Sequence, residues 1–155
     1  MAITVSGLYV ANFIDIVDAT QLAIDLSLTT HKIALYNNTK TPNFSTDVGY
    51  SATNEVSGTG WAAGGVALSA AAAGATSTAP TVTESPTGTL MYDMNDVSVA
   101  STTLTNARGM LIYADALAGD NGIVLVNFGA DFSTVAGTFG VQFASGGVLN
   151  VDLTP

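Results

Sequence analysis

Apolar positions change their rhythm along this chain. Near the N-terminus Tyr9, Phe13, Ile16 and Val17 recur at the spacing of one helical face, predicting a short amphipathic helix from about Leu8 to Asp18. The β-branched pair Ile16 and Val17 keeps a strand over Phe13–Val17 open as the alternative. From Lys32 onward the period shortens to two. His31–Tyr36 reads as a strand with Ile33 and Leu35 on one face and Ala34 and Tyr36 on the other. Asn37-Asn38 and Pro42-Asn43 then mark a loop, and Val66–Leu68 alternates again behind a glycine-rich stretch around Trp61.

The second half is more regular. Strands are predicted at Thr89–Tyr92, Asp96–Val99, Ala107–Tyr113, Gly122–Phe128, Thr138–Phe143 and Val148–Leu153. Turn residues separate them at Asp93–Asn95, Asn106, Asp120-Asn121, Gly129 and Gly146-Gly147. Short strands with such turns predict an all-β chain, an antiparallel β-sandwich or barrel with one short N-terminal helix. Between the halves, Ser69–Pro86 is rich in Ala, Ser, Thr and Pro and reads as a long surface excursion. Each flank would hold only about 70 residues, too few for a comfortable core of its own, so residues 1–155 read as one domain.

Composition sharpens this picture. Only 10% of the residues are charged, so solubility rests on 21 Thr, 12 Ser and 16 Gly. Those residues suit strands and turns better than solvated helix faces. Lys32, Lys40 and Arg108 stand against twelve carboxylates, for a net charge of −9. Affinity for nucleic acid comes largely from cations displacing counterions, so three scattered cations argue against a nucleic-acid partner. The same balance argues against an anionic membrane surface. Met1–Leu8 lacks a basic export region, and Gly64–Ala75 is too short and weakly apolar to span a bilayer. The expectation is therefore synthesis in a cytoplasm.

Candidate chemistry is thin. His31 is the only histidine, there is no cysteine, and no G-x-S-x-G elbow occurs; His31 reads as a solvated strand edge. Asp93 with Asp96, and Asp115 with Asp120, flank turns, where Asp favours local bonds to the backbone. No metal site, cofactor or catalytic residue is expected. Trp61, with Tyr36, Tyr50 and Tyr113, offers two readings: an aromatic platform for sugar, or core packing with the indole N–H on a backbone carbonyl. Arg108, the sole arginine, lies in an apolar strand and calls for a carboxylate partner, with Glu55 and Asp96 as the candidates.

One block is more specific. Asn54-Glu55-Val56-Ser57-Gly58-Thr59-Gly60-Trp61-Ala62-Ala63-Gly64-Gly65-Val66-Ala67-Leu68 resembles the N-E-V-x-G-x-G-(aromatic)-x-x-G-G-x-x-L signature of a family of small tailed-bacteriophage virion structural proteins. Upstream, Ile24-Asp25-Leu26 and Thr30-His31-Lys32-Ile33-Ala34-Leu35 follow the same family's pattern. Downstream, Asp96-Val97, Ala107-Arg108, Tyr113 and Phe128-Gly129 appear in its order. The Ala-rich part of the excursion is longer and blander than the family's usual connection.

The resemblance implies a non-enzymatic capsid decoration or cement protein, made in the host cytoplasm and placed on the outside of a phage head. Its structural residues would be Glu55, Gly58, Gly60, Trp61, Gly64, Gly65, Arg108 and Tyr113. Its partners would be the major capsid protein and copies of itself, as a trimer or other small ring. Contacts are expected at Ser69–Pro86 and Met1–Ser6. A tail or neck component is the alternative within the particle, and a carbohydrate-binding adhesion module using Trp61 the alternative from another class.

Overall fold

Period-two alternation builds two antiparallel sheets. The computed structural model describes residues 3–9, 12, 14, 23–71 and 80–153. The strands are β1 (Gly7–Leu8), β2 (Lys32–Tyr36), β3 (Glu55–Val56), β4 (Val66–Ala67), β5 (Thr81–Glu84), β6 (Thr89–Asp93), β7 (Val97–Ala114), β8 (Asn121–Val141) and β9 (Leu149–Asp152). A four-residue helix α1 (Leu68–Ala71) follows β4. The larger sheet runs β1-β8-β7-β2-β3, with β4 also pairing β2; the smaller runs β5-β6-β9. The chain is all-β, as its periodicity predicts.

The larger sheet is buried on both faces where β2 lies beside β7. Lys32 pairs with Tyr113 and Tyr36 with Gly109, so the two strands share one register. Ile33, Leu35, Met110, Ile112 and Val124 turn to one face and join Trp61, Leu68 of α1 and Tyr92 of the smaller sheet in the main core. Ala34, Tyr36, Leu111, Tyr113 and Leu125 turn to the other, where Ile3 and Tyr9 cover them. That division is the alternation of the sequence made physical.

Several expectations change in the folded chain. Asp96–Val99, from Val97 on, and Ala107–Tyr113 are parts of one 18-residue strand, β7, and Gly122–Phe128 and Thr138–Phe143 fall in or beside the 21-residue β8. Asn106 and Gly129, read as turns, are left-handed residues inside the strands, with φ of 57° and 77°. Repeated register shifts along the β7–β8 ladder let the strands pass through these kinks unbroken. The second part of the expected excursion is β5, fully exposed on the edge of the smaller sheet. Residues 72–79 of that excursion lie outside the described residues.

The N-terminal helix falls largely outside the described residues too: Leu8 belongs to β1, while Asn12 and Ile14 have helical backbone. Asn12 is buried, and its amide donates to the Gly122 carbonyl at 2.7 Å. The described part of Met1–Ser6 is anchored at Ile3 and Ser6, while Thr4 and Val5 lie exposed between them. Ile3 is fully buried, and the Asn127 amide donates to Ser6 Oγ at 2.9 Å. Removing that segment would open the second core.

Candidate functional site

The residues singled out in the 55–65 block converge on the end of the sheet formed by β2, β3 and β4. Glu55 begins β3 and directs both carboxylate oxygens inward. Gly64 N–H donates to Oε1 at 2.8 Å, and the Tyr50 hydroxyl donates to Oε2 at 2.7 Å. Tyr50 stacks on Tyr113 with ring centroids 5.0 Å apart, and the Tyr113 hydroxyl donates to the Gly64 carbonyl. Glu55, Tyr50, Gly64 and Tyr113 thus form one closed polar network that fixes the β3–β4 loop. Burial, then the bond to Glu55, pushes the Tyr50 hydroxyl pKa up. Burial does the same at Tyr113, helped by the charges of Asp115 and Asp120.

The glycines of the block answer to backbone contact. A Cβ on Gly65 would stand 2.1 Å from the Ile33 carbonyl oxygen, at a φ of +77°. A Cβ on Gly58 would stand 2.2 Å from the Thr103 carbonyl oxygen. Gly60 and Gly64 are left-handed as well, but around Gly64 there is open space. The block presses the β3–β4 loop onto β2 at one end and onto β7 at the other, where Thr59 bridges to Thr103.

Trp61 turns from that loop into the core, 1% exposed, with its ring edge-on to Phe139 at 5.5 Å. Of the two readings of Trp61, core packing describes this position, and no ring face is open to a sugar. Its Nε1 finds no hydrogen-bond partner among the described residues, contrary to the expected carbonyl. Tyr36 does not join it either. The Tyr36 hydroxyl donates to the Ser51 carbonyl at 2.7 Å, and burial pushes its pKa up to about 12.

His31 and Arg108 both depart from expectation. His31 is 1% exposed rather than solvated, because the segment before β2 folds over it. Its Nε2 lies 2.7 Å from the Asp25 carbonyl oxygen, while Nδ1 is buried without a partner. Burial pulls its pKa down against the opposing pull of that hydrogen bond. Arg108 pairs with neither Glu55 nor Asp96 but with Asp131 across the β7–β8 ladder, at 3.4 Å on a partly exposed face. Asp96 instead accepts from the Phe143 amide at 3.0 Å, and Asp93 from the Met94 amide at 2.9 Å. Asp115 pairs with Lys32 at 2.9 Å.

The outer half of the β7–β8 hairpin, residues 97–107 and 128–141, presents a different surface. Leu104 and Phe139 anchor its inner side on Trp61. Phe128, Phe132 and Phe139, with Val126 and Val141, line an open recess of roughly 430 Å³. Phe132 is 50% exposed and Val135 86%. These two side chains were missed in the sequence because residues 129–137 fell between two predicted strands. The run Phe128-Gly129-Ala130-Asp131-Phe132 carried the signal, two aromatics in an otherwise small and polar stretch.

Comparison with protein-family models, curated proteins and solved structures finds no match for this chain.

Proposed function

We propose that this chain is a structural protein of a bacteriophage virion, acting as a capsid decoration or cement protein on the outside of the head. The observation that carries the reading is the outer β7–β8 arm. It is long, nearly free of charge and tipped with exposed Phe132 and Val135, a surface suited to lying against neighbours. Few of its side chains are long, so little rotamer entropy is lost when they are covered.

Two further features agree. The glycine–aromatic block that carries the resemblance is spent on architecture: Glu55, Gly58, Trp61, Gly65 and Tyr113 hold the loop to the sheet. The net charge of −9 suits an outer shell better than an interior filled with DNA. In this role the chain contacts the major capsid protein and copies of itself at symmetric, repeated sites.

The test is position and stoichiometry in purified particles that carry the chain. Quantitative mass spectrometry with antibody labelling is expected to find copies on the head surface in proportion to the major capsid protein. A handful of copies at the tail or neck would place it there instead. Absence from particles would end the virion reading.

A further inference from the structure

We infer that the outer β7–β8 arm is a self-association surface, and that its occupant is the same arm of a second copy. The inference rests on the contact between copies in the proposed function, but it needs no particle.

Three observations select this occupant. The first is charge. Asp131 is the only carboxylate within residues 97–107 and 128–141, and it is matched by Arg108 at 3.4 Å. Two copies of net charge −9 repel over most of their surfaces, and the arm is where they can meet without opposing like charges. A cationic partner would be drawn to the acidic remainder of the molecule instead.

The second is shape. A two-fold contact joins a patch to itself, so the patch must hold both a projection and a receptacle. The arm has both on one strand. Val135 projects outside the recess, while Phe128, Phe139, Val126 and Val141 line it and half-exposed Phe132 stands at its border. Aromatic side chains around a pocket are the usual anchors of such contacts.

The third is the strand edge. β1 pairs β8 only at Val124 and Leu125, and beyond them the outer edge of β8 carries no further strand among the described residues. From Val126 to Val141 that edge has no lysine and no proline to guard against pairing, and its kinks at Gly129 and Ala136 confine a partner strand to the short stretches between them.

The experiment uses the full chain in solution. Sedimentation equilibrium over a concentration series is expected to show a dimer that tightens as salt screens the net charge. Val135→Asp is expected to weaken it by about tenfold or more while leaving the circular dichroism spectrum unchanged. Because the chain has no cysteine, a mixture of Val135→Cys and Phe132→Cys chains supplies a second reading: mild oxidation should give a covalent dimer of the two, and a mixture of Val82→Cys, on the smaller sheet, with Phe132→Cys should not.

Three outcomes overturn the inference: a monomer at millimolar concentration, equal dimerisation by Val135→Asp and the parent chain, or equal cross-linking in the two mixtures. A monomer whose arm binds capsids would show a different occupant and overturn it as well. A dimer broken by Val135→Asp in a chain absent from particles would uphold the inference while ending the virion reading.

Discussion

The two halves of the β7–β8 hairpin share one hydrogen-bonded ladder and differ in nearly everything else. In the inner half, residues 109–113 pair with β2 on one side and β8 on the other, and both faces are buried. In the outer half the strands kink through left-handed Ser101, Asn106, Gly129 and Ala136, and most side chains are exposed. Backbone pairing is therefore not what separates a core strand from a surface strand here. Neighbours are: β2, the smaller sheet and the N-terminal segment cover the inner half, whereas Trp61 and its loop support only one side of the outer half.

The largest expected effect joins the two halves. Trp61 packs on Phe139 of the outer half and shares the main core with Met110 and Ile112 of the inner half, so Trp61→Ala should cost about 3–5 kcal/mol in denaturant unfolding, with a cavity left under Phe139. A loss below about 1 kcal/mol would show that the arm needs no support from the core. Next comes the loop contact with β2. Gly65→Ala forces a Cβ onto the Ile33 carbonyl and should cost at least about 3 kcal/mol. Gly64→Ala meets open space and should cost only about 1–2 kcal/mol, the penalty of the left-handed backbone. Equal losses would mean that backbone strain, not close approach, sets the requirement.

A smaller effect depends on pH. His31 has its pKa lowered from 6.5 by burial, so the folded state holds its proton less tightly than the unfolded chain. Its contribution is present above about pH 6.5 and is lost as pH falls through the lowered folded value. Melting curves between pH 7 and 4 should show this loss in the parent chain and a shallower one in His31→Gln. Buried tyrosines act at the other end. Tyr9, Tyr92 and Tyr113 have raised pKa values, mainly from burial, so stability should fall as pH climbs past 10, where the unfolded tyrosines ionise.

The smallest effects belong to the arm. Arg108→Met should cost less than about 1 kcal/mol, because its pair with Asp131 is long and partly exposed. Val135→Ala should change the stability of the dilute protein by no more than about 0.5 kcal/mol. A substantial loss at either position would make the arm part of the core.

Much of the inner half was legible in the sequence. Ile33 and Leu35 against Ala34 and Tyr36 gave the two faces of β2 directly, since alternation reports burial without knowledge of partners. The 55–65 block drew attention to Glu55, Gly58 and Gly65, and the downstream match to Tyr113, and these residues do make the close contacts there. The outer half was harder. Asn106 and Gly129 carry turn chemistry, and only the facing strand shows that each left-handed residue is a kink inside a continuous ladder. His31 was read as exposed because a lone imidazole beside a lysine has no periodic signature. Its burial depends on a segment that folds over it and gives it the Asp25 carbonyl. The partner of Arg108 was equally out of reach: Asp131 lies 23 residues away and is set opposite only by the ladder's shifted register.

Amide hydrogen exchange on the intact chain, at low and at high protein concentration, tests the division most directly. In dilute protein, amides of β2 and of residues 109–113 should exchange slowest, and those of residues 130–136 orders of magnitude faster. On concentration, or on assembly into particles, protection should rise across residues 126–141 and stay constant in β2. Uniformly slow exchange along the whole hairpin in dilute protein, or an arm indifferent to concentration and assembly, would contradict the claim that the outer half is built for a neighbour.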